Sequence, residues 1–338
     1  MMAYTPDDSR YSNAMEYSFC GKSGLKLPQI SLGLWHNFGH VDDFEKSKEI
    51  IHCAFDKGIT HFDLANNYGP PPGSAEENFG QIFKSSLSAY RDEIIISTKA
   101  GHLMWDGPYG DGSSRKNLIS SLNQSLKRLQ LDYVDIFYSH RYDGITPIEE
   151  TMQALIDIVK SGKALYVGIS KYPPHLAEKA YQILEAQGVH CLIHQDRYNM
   201  LSREVENGTL KAAHRNGVGF SAFSPLAQGM LTDRYLNGIP TDSRVARNGF
   251  LKKEQITPEV IRIIQLLNNI ALERGESLAQ MALSWILSDK RVTTVIVGAS
   301  SVKQLMNNLG TLDSPSLSEE DLTSIRAIIE GYSSSMPK

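Results

Sequence analysis

The stretch GITHFDLANNYGPPPGSAEENFGQIFKSSLSAYRDEIIISTKAG, residues 58–101, reads as strand, helix, strand. The runs ITHFDLA and EIIISTKA are mostly apolar, which suits strands covered on both faces. The segment 75–85 between them carries a helical pattern. Asp63 and Tyr68 fall at the downstream end of the first run, and Lys99 at the downstream end of the second.

The same alternation continues in both directions. QISLGL lies upstream, and YVDIFYSH, LYVGIS, CLIHQ, VGFSAFSPL and TTVIVGAS follow downstream. Helical patterns occupy 43–57, 115–129, 148–161, 174–187, 203–216 and about 258–288. In the last of these, Val260, Ile263, Ile264, Leu267, Ile270 and Ala271 recur at one-face helical spacing. Thr257 and Pro258 mark its start and Gly275 its stop. Ser277 and Gln280 then form a capping-box pattern for a second helix that buries Met281, Trp285 and Ile286.

Eight strands, each followed by a helix, predict an α/β fold: one (β/α)8 TIM barrel over residues 15–338. A β-hairpin at 16–30 opens it, and residues 1–14 read as a flexible N-terminal tail. A doubly wound sheet is the runner-up. Two connections, about 101–114 and about 228–257, exceed plain turns. Loops of that length in a compact domain commonly cover a ligand.

Composition narrows the function classes. The chain has 338 residues, a formal net charge of -4 and 41% apolar residues. That balance suits a soluble core and argues against a broad nucleic-acid or membrane-surface role. No apolar run approaches the roughly 20 residues a bilayer span needs. The opening MMAYTPDDSRYSNAMEY has no apolar core of a secretory signal. Cys20, Cys53 and Cys191 lie far apart without paired spacing, so a reducing, cytoplasmic setting is expected. His36 and His40, or His190 and His194, lack the helical placement and carboxylate company of a metal site, and no metal is expected.

Barrel active sites lie at the C-terminal ends of the strands. That rule gathers Asp63, Tyr68, Lys99 and His140 at one rim. Tyr68 could protonate a carbonyl oxygen, but an ordinary phenol near pKa 10 is a poor acid at neutrality. A nearby ammonium favours tyrosinate and lowers that value. Lys99 could supply the effect, Asp63 could hold Lys99 charged and oriented, and His140 could polarise the carbonyl. Each alone has an ordinary structural reading, as packing tyrosine, buried ion pair or hydrogen-bonded histidine. The four together on consecutive strands shift the balance.

The segments GITHFDLANNYG, IISTKAG and IFYSHR resemble the Asp, Tyr, Lys and His blocks of the aldo-keto reductases. YVGIS, LIHQDRYN, FSPLAQGML, IPTDSR and VIVGASSVKQL extend the similarity over about 17–330. The pattern resembles the branch that holds the L-glyceraldehyde 3-phosphate reductases and the voltage-gated potassium channel β subunits. SLGLWHNFGHV and ANNYGPPPGSAEENFG lean toward the reductase side. The resemblance implies a reductase of aldehydes and ketones, among them small or phosphorylated sugar aldehydes. Tyr68 would be its proton donor, tuned by Lys99 and Asp63, with His140 orienting the carbonyl. It also implies a homo-oligomer, a tetramer or larger. Two rivals stay open: a cofactor-binding regulatory subunit with slow turnover, and a Schiff-base lyase built on Lys99.

No GxGxxG follows a strand, so a Rossmann site is not supported. VIVGASSVKQL instead reads as strand, turn and helix start, with Ser301 and Gln304 in a capping-box pattern. Such a helix start can hold an anion. The resemblance implies NADP(H) held by Trp35, Asp63, Ser170, Gln195, Phe223, Ser224, Pro225, Leu226, Gly229, Arg234, Arg244, Gly298, Ser300, Gln304 and Asn308. Phe223 would stack on the nicotinamide. Arg234 and Arg244 would pair with phosphates and favour NADP over NAD. Where many relatives read Gly-Val-Ser-Asn, this chain has Gly168-Ile169-Ser170-Lys171, so Lys171 could reach a phosphate instead. Trp35, Asn37, Tyr68, Trp105 and His140 would wall the substrate pocket, and Arg141 would pair with a substrate phosphate.

Overall fold

In the computed structural model, which describes residues 4–236, 238, 254 and 256–333, the eight strand-like runs pair in parallel and close on themselves. The strands are β3 (Ile30–Gly33), β4 (His61–Asp63), β5 (Ile95–Ala100) and β6 (Val134–Ser139), then β7 (Ala164–Ser170), β8 (Cys191–Arg197), β9 (Gly219–Phe223) and β10 (Thr294–Val297). β10 pairs with β9 on one side and with β3 on the other, Val295 opposite Ile30. That last pairing removes both sheet edges and decides against the doubly wound alternative.

Helices α1 (Phe44–Asp56), α2 (Ser74–Ile82), α3 (Arg115–Leu129), α4 (Ile148–Lys160), α5 (Pro174–Glu185) and α6 (Thr209–Arg215) follow the strands. α7 (Pro258–Glu273), α8 (Leu278–Leu287), α9 (Val302–Leu309) and α10 (Glu319–Ser333) complete the chain. Their starts follow from side-chain caps. Asp43 accepts from Lys46 N, Ser114 from Asn117 N and Thr257 from Val260 N, each satisfying an otherwise unpaired amide. The Ser277–Gln280 capping box closes in both directions.

Two helical stretches differ from the periodic reading. The 203–216 segment divides into a 3-10 turn, Glu204–Asn207, and α6, because Gly208 at φ 136° occupies a backbone region that suits only glycine. The 75–85 segment gives α2, which widens into a π turn at Phe83–Leu87 and tightens into a 3-10 turn at Ser88–Glu93.

Outward strand residues meet the helices. Phe62 of β4 lies 5.4 Å from Phe79 of α2, ring centroid to centroid. Burying such a ring stabilises by about 1.5–3 kcal/mol. Inward positions fill the barrel. At Gly168 a side chain is excluded, because a Cβ there would lie 2.6 Å from the Tyr138 ring.

The hairpin strands β1 (Tyr17–Phe19) and β2 (Lys26–Pro28) pair antiparallel. Cys20 and Leu27 bury against Ile136, Tyr138, Leu192 and Ile193. Lys22 N donates to Gly217 O at 2.8 Å, so the hairpin sits at the strand starts, opposite the rim that carries Tyr68. The segment ahead of it makes contacts of its own: Tyr4 stacks on His52, and Arg10 pairs with Glu93 at 2.7 Å. Among the described residues, no helix is long and apolar enough to cross a membrane.

Candidate active site

Asp63 ends β4, and Lys99 lies in β5 with Asp63 opposite Ser97 in the register. Lys99 Nζ donates to Asp63 Oδ2 at 2.6 Å and to Leu64 O at 2.6 Å. Tyr68 follows on the β4–α2 turn. That turn is held by Tyr68 N donating to Ala65 O and by the Tyr68 carbonyl accepting from Gly73 N and Ala75 N. The ammonium of Lys99 lies 5.1 Å from the Tyr68 ring centroid. His140, just past β6, stands edge-on to Tyr68 with ring centroids 6.0 Å apart. Trp35, after β3, lies 6.3 Å from the Tyr68 ring. The four polar side chains and Trp35 therefore converge on one rim.

The electrostatics correct one sequence expectation. Tyr68 was expected to be drawn down by Lys99; its pKa is instead raised well above 10, first by burial and then by the charge of Asp63. Burial of the phenol is the main cause, and the Lys99 ammonium is bonded to the Asp63 carboxylate rather than presented bare to the ring. Tyr68 thus stays protonated at neutral pH. Burial draws the Lys99 ammonium below its ordinary range, and Asp63 opposes that shift. His140 is held well below 6.5 by burial, with Lys99, Lys171, His102 and Arg141 adding to it. It is a neutral imidazole with one N–H to give.

The residues expected around a cofactor line the adjoining rim. Gln195 reaches across the barrel to Asp63 Oδ1 at 3.1 Å. Ser170 Oγ and Asn308 Nδ2 are buried without a hydrogen-bond partner. Unsatisfied buried polar atoms of this kind cost stability and suit a polar ligand. Lys171 at φ 57° and Ser224 at φ 53° hold left-handed backbone on either side of the site, and Asn199 Nδ2 donates to Ser224 O at 2.9 Å. Phe223 ends β9 with Lys171 Nζ 5.4 Å from its ring. Pro225 is buried, Leu226 packs against the core, and Gly229 takes φ 97°. Gly298 has no atom within 4 Å of where a Cβ would stand, leaving open space beside the α9 start.

At that start, Ser301 caps Gln304 N, but Gln304 Oε1 accepts from Ser300 N and Oγ rather than from Ser301 N. The expected capping box is therefore shifted by one residue. Arg234 sits exposed on a 3-10 turn, Asp233–Tyr235, and Arg244 lies outside the described residues. These orphaned polar atoms, the open space at Gly298 and the aromatic Phe223 fit a dinucleotide.

Among the residues expected to wall a substrate pocket, Asn37 Nδ2 donates to Ala299 O at 3.3 Å, tying the β3 loop to the β10 loop. Trp105 sits partly exposed in the 101–114 loop, which is pinned by Met104 N to Gly110 O at 2.9 Å. Arg141 turns onto that loop: Nε donates to Gly101 O and the terminal nitrogen to Asp111 Oδ1, both at 2.8 Å.

Sequence reading passed over His102 and His61. His102 follows Lys99 by three residues and stands edge-on to His140 at 4.5 Å. His61 shares the inward face with Asp63, a signal present in the two-residue spacing along β4. His40 pairs with Glu77 and His190 with Glu185, and no cluster of three metal-ligating groups occurs among the described residues.

Comparison with known proteins agrees with this architecture. The model of the Aldo/keto reductase family matches residues 29–330. The chain is 56% identical to an L-glyceraldehyde 3-phosphate reductase of Escherichia coli O157:H7, over 96% of this chain and 95% of that protein. It is 39% identical to a probable voltage-gated potassium channel subunit beta of Arabidopsis thaliana, over 88% of this chain and 92% of that one. A probable subunit of the same description from Oryza sativa subsp. japonica is 37% identical, over 94% and 97%.

Proposed function

Because the chain belongs to the aldo/keto reductase family, we propose that it is an NADPH-dependent reductase of small aldehydes, phosphorylated sugar aldehydes among them. The single observation that carries this reading is the convergence of the Tyr68 phenol, the Lys99–Asp63 pair and the His140 imidazole on one rim. The similarity to a protein named for L-glyceraldehyde 3-phosphate supports the substrate class.

Reduced nicotinamide, when bound, supplies a hydride to the carbonyl carbon. Tyr68 then hands its phenolic proton to the carbonyl oxygen, and the O–H bond of the alcohol forms as the phenol O–H bond breaks. His140 donates a hydrogen bond to the same oxygen and stabilises the charge that develops there. Lys99 faces the resulting phenolate and offsets its charge, while Asp63 keeps the ammonium in place. General acid catalysis of this kind contributes roughly 10²–10⁴-fold.

Ser170, Gln195 and Asn308 would hold the polar groups of the cofactor, and Phe223 its ring. Arg234, with Arg244, would take phosphate charge and favour NADPH. A Lys99 fully buried between two acceptors is poorly placed as a Schiff-base nucleophile. The test is a panel of plain and phosphorylated aldehydes with NADPH and with NADH, followed by loss of reduced-nicotinamide absorbance. Turnover of aldehydes with preference for NADPH supports the reading; cofactor binding without turnover on any of them removes it.

A further inference from the structure

Next to the tetrad a line of buried polar side chains crosses from strand to strand inside the barrel. Ser97 Oγ lies 2.7 Å from Asp63 Oδ1, His61 Nε2 lies 2.9 Å from Ser97 Oγ, and His61 Nδ1 lies 2.9 Å from Ser31 Oγ. Ser31 Oγ lies 2.6 Å from Thr294 Oγ1. Ser31, His61, Ser97 and Thr294 are all 0% exposed. Four neighbouring strands, β10, β3, β4 and β5, contribute to it.

Counting donors fixes the direction of every hydrogen. An ionised carboxylate only accepts, so the single Ser97 hydrogen goes to Asp63. Its weaker alternative is Phe62 O at 3.5 Å. Ser97 must then accept from His61, which places the imidazole hydrogen on Nε2. Burial pushes His61 down to about 4, so the ring is neutral and its Nδ1 is an acceptor. Ser31 donates to Nδ1 and Thr294 donates to Ser31. All the hydrogens point toward Asp63, which also accepts from Gln195 and Lys99. The far end is Thr294, whose other neighbour, Gln29 O at 3.5 Å, has no proton to give. The chain therefore orients and does not carry protons in from water.

We propose that His61 is a positioning residue, which sets the Asp63 carboxylate through Ser97 and thereby aims Lys99 at the Tyr68 phenol. Without the imidazole donor, Ser97 is free to turn toward the Phe62 carbonyl, and Asp63 loses its shortest contact at Oδ1 and keeps there only the longer one to Gln195. The kinetic consequence rests on the reductase reading; the hydrogen placement does not.

Two measurements test it separately. In the wild-type chain with nitrogen-labelled histidine, NMR at neutral pH is expected to show His61 as the Nε2–H tautomer. The Nδ1–H tautomer would overturn the proposal whether or not the protein reduces aldehydes. In steady-state kinetics with NADPH and glyceraldehyde, His61→Phe is expected to lower kcat by about tenfold to a hundredfold, as for a misplaced reacting group. KM and NADPH affinity should stay close to wild type. His61→Gln, which keeps a donor toward Ser97, is expected to recover most of kcat. Ser97→Ala should reproduce the His61→Phe loss, and the double variant should lose no more than the worse single one, since both act through one contact. Additive losses, equal losses in the Phe and Gln variants, or a fall confined to thermal stability would assign His61 a merely structural role.

Discussion

Lys99 Nζ rests 2.6 Å from Asp63 Oδ2, with the lysine side chain wholly buried and the aspartate nearly so. Removing one member strands a charge away from water. Lys99→Met is therefore expected to cost roughly 3–5 kcal/mol of stability, read by urea denaturation. The double change Asp63→Asn with Lys99→Met should regain most of that stability and none of the turnover. Recovery of turnover in the double variant would remove the pair from the chemistry.

Arg141 and Lys171 divide the question of an anionic substrate end. Arg141 gives its hydrogens to Gly101 O and Asp111, so Arg141→Ala is expected to loosen the 101–114 loop and lower kcat/KM equally for plain and phosphorylated aldehydes. Lys171 lies over Phe223, and its charge acts on His140. Lys171→Ala is expected to lower kcat/KM for the phosphorylated aldehyde by about tenfold more than for the plain one, the worth of one charge-assisted hydrogen bond. A selective loss in the arginine variant instead would exchange the two roles.

Stability should fall in mild acid. His61 and His102 are pushed down to about 4 and His194 to about 3, in each case chiefly by burial. An unfolded histidine takes its proton near 6.5. Between that value and about 4 the unfolded chain binds more protons than the native one, so stability is full above neutrality and declines as pH drops through this window. Thermal melts from neutral pH downward should show the decline, and His194→Gln should make it shallower. A melting temperature flat across the window would contradict these burial-driven shifts.

Arg234 sits on the 3-10 turn that follows the β9 loop. If it meets the extra phosphate of NADPH, Arg234→Ala should weaken NADPH binding by about tenfold and leave NADH binding nearly unchanged. Fluorescence titration with both cofactors checks this. An equal effect on the two would place the arginine on a group they share.

Much of the barrel was legible because strands covered on both faces read as apolar runs, and because catalytic groups gather at strand ends. Asp63, Lys99 and His140 could be set on one rim from those runs alone. The sign of the Tyr68 shift could not, since it depends first on how completely the closed barrel buries the phenol and then on the Asp63 charge beside it. Arg141 looked free for a phosphate because its partner Asp111 lies 30 residues upstream in an irregular loop. The contact between Ser31 and Thr294 spans 263 residues and exists only because the barrel closes. The division of the 203–216 segment turned on Gly208, whose backbone requirement is invisible to periodicity.

The Tyr68→Phe variant bears most directly on the proton donor. NADPH affinity should match wild type, while aldehyde turnover should fall by about 10²–10⁴-fold with the phenolic proton gone. Turnover near the wild-type level in a folded, cofactor-binding Tyr68→Phe protein would contradict the account at its centre.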